Sequence, residues 1–176
     1  NRPIPNHWSK RAQTRPYITS SIGRKIIVKD TKAFLGAIKQ AKPGDEIILA
    51  PGVYQIKSYN IDLPSPGEPG KPIRVKARQL GQVTIELNSV EGFLVSEPYW
   101  AFENLDIKGT NSNHNAGEHA FHVVGGATGF VLRNCRVHEF NSIIKANGHK
   151  GKDGKIHFPD NALIEKNRFY NSTPRN

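Results

Sequence analysis

The chain has no methionine, a single cysteine, and no apolar run near the roughly 18 residues needed to cross a bilayer. Each shortage excludes something. Cys135 has no partner within the chain, so a disulfide scaffold is excluded while the redox compartment stays open. A membrane-spanning helix is excluded, and no export signal is visible. Without methionine, and beginning Asn1-Arg2-Pro3, the chain is expected to be a mature, trimmed or excised segment. Acidic residues are also scarce, 15 against 25 lysines and arginines. The resulting formal charge of +10 favours polyanions such as acidic polysaccharide, nucleic acid or anionic lipid. Apolar residues make up only 36% of the chain, and the mean hydropathy is −0.55. That is lean for one thick core but suits a solenoid, in which each coil buries a thin stripe against its neighbours. A length of 176 residues suits one domain.

What is present falls into two textures. Residues 1–24 show no period and read as an extended arm, leaving 25–176 as the folded domain. Ile26-Ile27-Val28 reads as a short strand, and Asp30 or Thr31 offers a helix N-cap. Phe34, Ala37, Ile38 and Ala41 then fall on one helical stripe, ended by Pro43-Gly44. Beyond this helix of about 31–42, short β-rich runs alternate with Gly, Pro and Asn. They are Glu46–Ala50, Gly52–Ile56, Ile73–Ala77, Val83–Leu87, Phe93–Val95, Trp100–Ile107, Ala120–Val124, Phe130–Val137, Ser142–Ala146 and Ala162–Phe169.

Three of these runs superimpose. Phe102, Leu132 and Ile164 correspond, as do Leu105, Cys135 and Asn167, and Ile107, Val137 and Phe169. A second register matches Ala120–Val124 to Ile143–Asn147, each followed by Gly. One apolar pattern returning at unequal intervals means one coil per repeat with loops of variable length. The expected fold is therefore all-β, a right-handed parallel β-helix (solenoid) with the helix as its N-terminal capping element. Asn167 suits an inward hydrogen-bonding ladder, and Cys135 reads as a small buried hydrophobe. No cap follows Asn171-Ser172-Thr173-Pro174, so further C-terminal coils or a second chain are expected to cover that end. Asn171-Ser172-Thr173 is also a glycosylation sequon, relevant only in a eukaryotic secretory host.

The segment from Phe34 through Pro43-Gly44-Asp45 to Pro51-Gly52-Val53-Tyr54 resembles the opening of the pectate-lyase-like superfamily. Gly70–Ala77 and Gln82–Ile85 are similar to its early coils. Over roughly residues 30–170 the resemblance is closest to the chondroitinase B and alginate lyase group. It implies a carbohydrate-active β-helix, secreted or periplasmic, that acts on an acidic polysaccharide. In that group a Lys base, an Arg acid and a calcium site of Asn and Glu lie in middle coils, which would fall mostly beyond Asn176. No matching motif is found here, so no catalytic residue is carried over.

Candidates therefore come from the residues themselves. If Phe121 and Val123 point inward, His122 points outward, and the matching register places Lys145 beside it on the next coil. A neighbouring cation would poise either as a base, although two ordinary exposed residues would look the same. His114, Glu118, His119 and His122 suggest metal, but the spacing of three puts His119 and His122 on opposite faces of a straight strand. No metal site is assigned, and no cofactor signature is evident. Calcium at Asp160, Asn161 and Glu165 is admissible without any spacing signature. His149, Lys150 and Lys152, with Lys155 and His157, form a basic Gly-rich stretch, either a clamp for anionic sugar or a solvated insertion. Arg133, Arg136 and Arg168 recur in the repeated coils. Arg136 and Arg168 share a ladder position and would repel unless an anion bridges them. Trp8, Tyr17, Tyr54, Tyr59, Tyr99 and Trp100 are candidate sugar-stacking rings.

Two functions compete. One is a polysaccharide lyase-like segment working by β-elimination. The other is a non-catalytic glycan-binding or structural β-helix completed by another chain. The sequence shows no nucleic-acid module and no convincing carboxylate pair for hydrolysis.

Overall fold

The computed structural model describes residues 23–111 and 118–174. Most of the expected arm, together with Trp8, Tyr17 and His114, lies outside the described residues. Strand β1 (Lys25–Val28) leads to helix α1 (Thr31–Lys39) and then to a stack of four coils. Each coil contributes one strand to each of three parallel sheets. The first coil is β2 (Glu46–Leu49), β3 (Gly52–Lys57) and β4 (Asn60–Asp62). The second is β5 (Ile73–Ala77), β6 (Val83–Asn88) and β7 (Gly92–Val95). The third is β8 (Trp100–Glu103), β9 (Asp106–Gly109) and β10 (His119–Val124). The fourth is β11 (Val131–Arg133), β12 (Arg136–His138) and β13 (Ser142–Asn147). An antiparallel hairpin, β14 (His149–Lys150) and β15 (Ile156–His157), follows. A last pair, β16 (Leu163–Glu165) and β17 (Arg168–Tyr170), begins a further coil. The first, second and third strands of the coils form sheets A, B and C, with β1 and β16 at the edges of A and β17 at the edge of B. The chain is a right-handed parallel β-helix, the hand that parallel crossovers adopt almost without exception.

The expected registers hold. Val75, Phe102, Leu132 and Ile164 stack in sheet A. Tyr54, Ile85, Ile107, Val137 and Phe169 stack in sheet B. Ile61, Phe93, Phe121 and Ile144 stack in sheet C. At mid-stack the rings of Phe93, Phe102 and Phe121 meet with centroids 4.9–5.5 Å apart, filling the centre of the triangle. Such pairs add about 0.5–1.5 kcal/mol each beyond the area they bury.

The three longest runs of the sequence each break in two. Trp100–Ile107, Phe130–Val137 and Ala162–Phe169 all turn the corner from sheet A to sheet B at one left-handed residue: Asn104 (φ 61°), Asn134 (φ 49°) and Lys166 (φ 58°). Asparagine tolerates that conformation best among residues with a Cβ. Asn134 Nδ2 donates to Asn104 Oδ1 at 2.9 Å, and Asn104 Nδ2 to the Ala77 carbonyl at 3.1 Å, so the corners form their own polar ladder. Asn167 makes the expected inward bonds: Cys135 N–H donates to its Oδ1, and its Nδ2 donates to the Leu132 carbonyl.

Helix α1 closes the N-terminal end. Asp30 caps it by accepting from Ala33 N–H at 2.8 Å, and Phe34, Ala37 and Ile38 are buried. Phe34 meets Tyr54 edge-on, and the Tyr54 hydroxyl reaches the Val28 and Ala50 carbonyls. At the opposite end Ile164 and Phe169 remain 46% and 42% exposed, with no described strand beyond them.

Candidate functional site

Among the described residues, a cluster of chemically capable groups lies where the chain enters sheet C. Two successive amides, Val90 and Glu91, donate to the Tyr59 carbonyl at 3.1 and 3.0 Å. One coil later Glu118 and His119 donate to the Val90 carbonyl at 3.0 and 3.1 Å. Two residues facing one is the signature of a β-bulge, which bends the strand and re-aims its side chains. The repeated bend places Glu91 directly below His119. Gly92, at φ +59°, makes the close stack feasible, because a Cβ there would lie 2.2 Å from the Ala120 carbonyl oxygen.

This bend corrects the straight-strand expectation for His119 and His122. Ala120 and Phe121 are both buried, so alternation fails between the two histidines, and their rings lie 6.1 Å apart. Glu91, Glu118 and His119 each offer one ligand atom, all within 4.8 Å of one another. Glu118 Oε2 is 3.6 Å from His119 Nε2. Burial lowers the His119 pKa below the ordinary imidazole range. Glu91 opposes that shift, Lys145 adds to it, Glu118 opposes it and His122 adds to it.

His122 and Lys145 are in register on adjacent strands, as expected from the repeat. His122, however, is already partnered. Its Nδ1 lies 2.7 Å from Glu91 Oε2 and its Nε2 lies 2.8 Å from Asn147 Oδ1. Lys145 is the exposed member of the pair. Glu91 was missed by sequence reasoning, although a signal was there: Gly92-Phe93 and Val95 repeat as Ala120-Phe121 and Val123, with Glu91 matching His119.

The arginines singled out from the sequence do not share a surface with this cluster. Arg133 lies on sheet A between Glu165, 2.7 Å away, and Glu103, 4.0 Å away. Arg136 and Arg168 are stacked neighbours in sheet B, but no external anion is needed between them. Arg136 pairs with Asp106 at 2.7 Å, and the other Asp106 oxygen meets His138 Nε2 at 2.9 Å. Arg168 turns over the Tyr170 ring, 5.0 Å from its centroid, and that ring stacks on His138 at 4.6 Å. His149 and Lys150 lie in the first strand of the ordered hairpin, and Lys152 lies in its turn. His157 pairs there with Asp153. The Gly125 position connects hairpin and sheet C, since a Cβ there would lie 3.0 Å from His149 Cβ. Glu165, named for calcium, faces Arg133. Tyr54 and Trp100 are buried, with Trp100 Nε1 donating to the Ser65 carbonyl, while Tyr59 is exposed. The sequon Asn171 is engaged through both amide atoms with the Phe140 backbone.

Comparison with known proteins agrees with this architecture. The chain is 27% identical over 144 residues to pectate lyase L of Dickeya chrysanthemi, covering 70% of this chain and 33% of that protein. Pectate lyase L of Dickeya dadantii matches at 26% identity with the same coverage. The chain thus spans about a third of the length of the curated relatives it matches. Among solved structures, an alginate lyase from Paenibacillus sp. str. FPU-7 superimposes with a TM-score of 0.56 at 20% identity, over 85% of this chain and 58% of that one. The PL6 family alginate lyase AlyGC gives 0.52 at 21% identity, over 83% and 19%. These two likenesses speak to fold alone. The chondroitinase B family model matches residues 28–170, nearly the whole described stack, and on that match the chain belongs to the chondroitinase B family.

Proposed function

We propose that the chain is a lyase-like segment of a secreted or periplasmic protein that cleaves an acidic polysaccharide by β-elimination, with the polymer lying along the outer face of sheet C. The single observation carrying this reading is Lys145, exposed on β13 and in register with His122, which Glu91 and Asn147 flank. β-Elimination needs a base for the proton on the carbon next to the uronate carboxylate. It also needs positive charge to stabilise the carboxylate and an acid for the departing sugar oxygen. As the C–H electrons form the new C=C bond, the glycosidic C–O bond breaks, and the oxygen leaves with a proton. Lys145, exposed on the sheet C face, is the group we assign to meet substrate. His122, with Nε2 bonded to Asn147 and Nδ1 beside Glu91, is better suited to positioning these two residues. The hairpin residues His149, Lys150 and Lys152 flank the same sheet and supply charge for neighbouring uronates.

The relatives named pectate lyase support the reaction class. The test is incubation of the longest natural form of the protein with pectate, alginate and chondroitin sulfate, monitoring the ultraviolet absorbance of unsaturated products. Activity on one substrate that falls about 10²-fold or more in Lys145→Ala is the expected result, the usual scale for losing an acid–base group. Absence of product from all three would remove the proposal. Retained polymer binding without product would establish the glycan-binding alternative. Cell fractionation tests the location.

A further inference from the structure

We infer that Glu91, Glu118 and His119 form a binding site for a divalent transition cation of the zinc class, with His122 as the residue that orients Glu91. The inference does not rest on polysaccharide cleavage.

The donors come from two adjacent coils and are brought together by the paired bulges at Tyr59 and Val90. Their ligand atoms fall within 4.8 Å of one another, and Glu118 Oε2 lies 3.6 Å from His119 Nε2. Donors bound at about 2.0–2.2 Å around a tetrahedral ion stand about 3.3–3.6 Å apart, so the His119–Glu118 spacing already matches one edge. Glu118 is half exposed and free to close the remaining distance.

A second, independent observation concerns His119 itself. Its side chain is only 13% exposed, and neither ring nitrogen has a hydrogen-bond partner among the described residues. Buried polar atoms are normally satisfied, and leaving one unmade costs about 1–3 kcal/mol. A cation bound at the ring would satisfy one of the two. The contact from His122 Nδ1 to Glu91 at 2.7 Å is the kind of outer interaction that fixes a ligand carboxylate. Charge agrees as well. Two carboxylates converge beside His119, an arrangement that suits a dication. An imidazole donor favours zinc over calcium, which takes six to eight oxygens.

The test uses the whole 176-residue chain, freed of metal by a chelator and titrated calorimetrically with zinc, manganese or calcium chloride. Cobalt(II) absorbance provides a second readout. One equivalent of zinc is expected to bind, with calcium silent at the same concentration. His119→Ala and Glu118→Gln should each weaken zinc binding about 10-fold or more, and His122→Ala should weaken it about 10–100-fold, the range for an outer-shell partner. Glu118→Gln is the variant that keeps the test sound should His119→Ala misfold, because its side chain is half exposed. Several results would overturn the inference: no stoichiometric zinc uptake by protein with a native circular dichroism spectrum, wild-type affinity in Glu118→Gln, or calcium binding as tightly as zinc. Loss of uptake in His149→Ala alone would move the site to the hairpin and equally overturn it.

Discussion

At the scale of single residues, burial decides which polar groups are available for chemistry. Cys135 is buried, and burial pushes its thiol up to about 12, so at neutral pH it is neither a nucleophile nor a metal ligand. A thiol-directed reagent such as DTNB should leave the native chain unmodified and react with one thiol per chain in denaturant; rapid labelling of the native chain would contradict the packing. Asp45 behaves differently. Burial alone would raise its carboxyl, but hydrogen bonds from the Arg24 side chain and from the Lys42 and Arg24 amides outweigh it and hold the carboxyl below the usual range. A depressed folded pKa contributes stability that is present above the unfolded value of about 3.9 and is lost as pH falls through the folded value. Asp45→Asn should therefore be markedly less stable than the parent at pH 7, with the gap narrowing as the pH drops towards 2. Urea denaturation at both pH values measures it, and a gap independent of pH would show that charge is not involved.

At the scale of elements, the helix and the sheets depend on different things. Helix α1 has only nine residues, below the length at which a helix is stable alone, so it relies on its cap and its packing. Removing the Asp30 cap with Asp30→Ala should cost about 1 kcal/mol in chemical denaturation. The coils rely on inward ladders. Phe121 sits where three ring contacts meet, with Phe93, Phe102 and Phe130. Phe121→Ala should cost about 3–5 kcal/mol, measured by the same denaturation. A loss below 1 kcal/mol would mean that the stack collapses around the gap. The helix, its cap and these ladders were legible in the sequence because they follow local periods. The three corners at Asn104, Asn134 and Lys166 were read through as continuous strand, because a single left-handed residue does not interrupt a hydrophobic pattern.

At the scale of the whole molecule, the three sheets carry different charge arrangements. On sheet A, Glu103, Arg133 and Glu165 alternate up the stack, and Glu46 pairs with Lys76, so that face largely neutralises itself. Sheet B holds Arg136 on Asp106. The hairpin beside sheet C keeps Lys150 and Lys152 exposed. Retention on an immobilised acidic polysaccharide should therefore fall steeply with salt, as the screening length shrinks from about 10 Å at 0.1 M to about 3 Å at 1 M. The double variant Lys150→Ala, Lys152→Ala should elute at lower salt than the parent, whereas Arg133→Ala should elute with it. The reverse pattern would move the polymer from sheet C to sheet A.

The sequence by itself determined the coil. Inward apolar residues must recur once per turn, so the spacing of Phe102, Leu132 and Ile164 already specifies the stacking. It also determined the register of His122 with Lys145, because neighbouring coils repeat the same short pattern. Only the tertiary structure decided what each polar side chain meets. Arg133, Arg136 and Arg168 look alike along the chain, yet two are paired with carboxylates and one lies over a tyrosine ring. It also decided that His119 and His122 converge, because the chain bends as it enters β10, where the Glu118 and His119 amides share the Val90 carbonyl on the coil below. A period in the sequence fixes which residues stack, while a bulge, which depends on the neighbouring coil, fixes where they point.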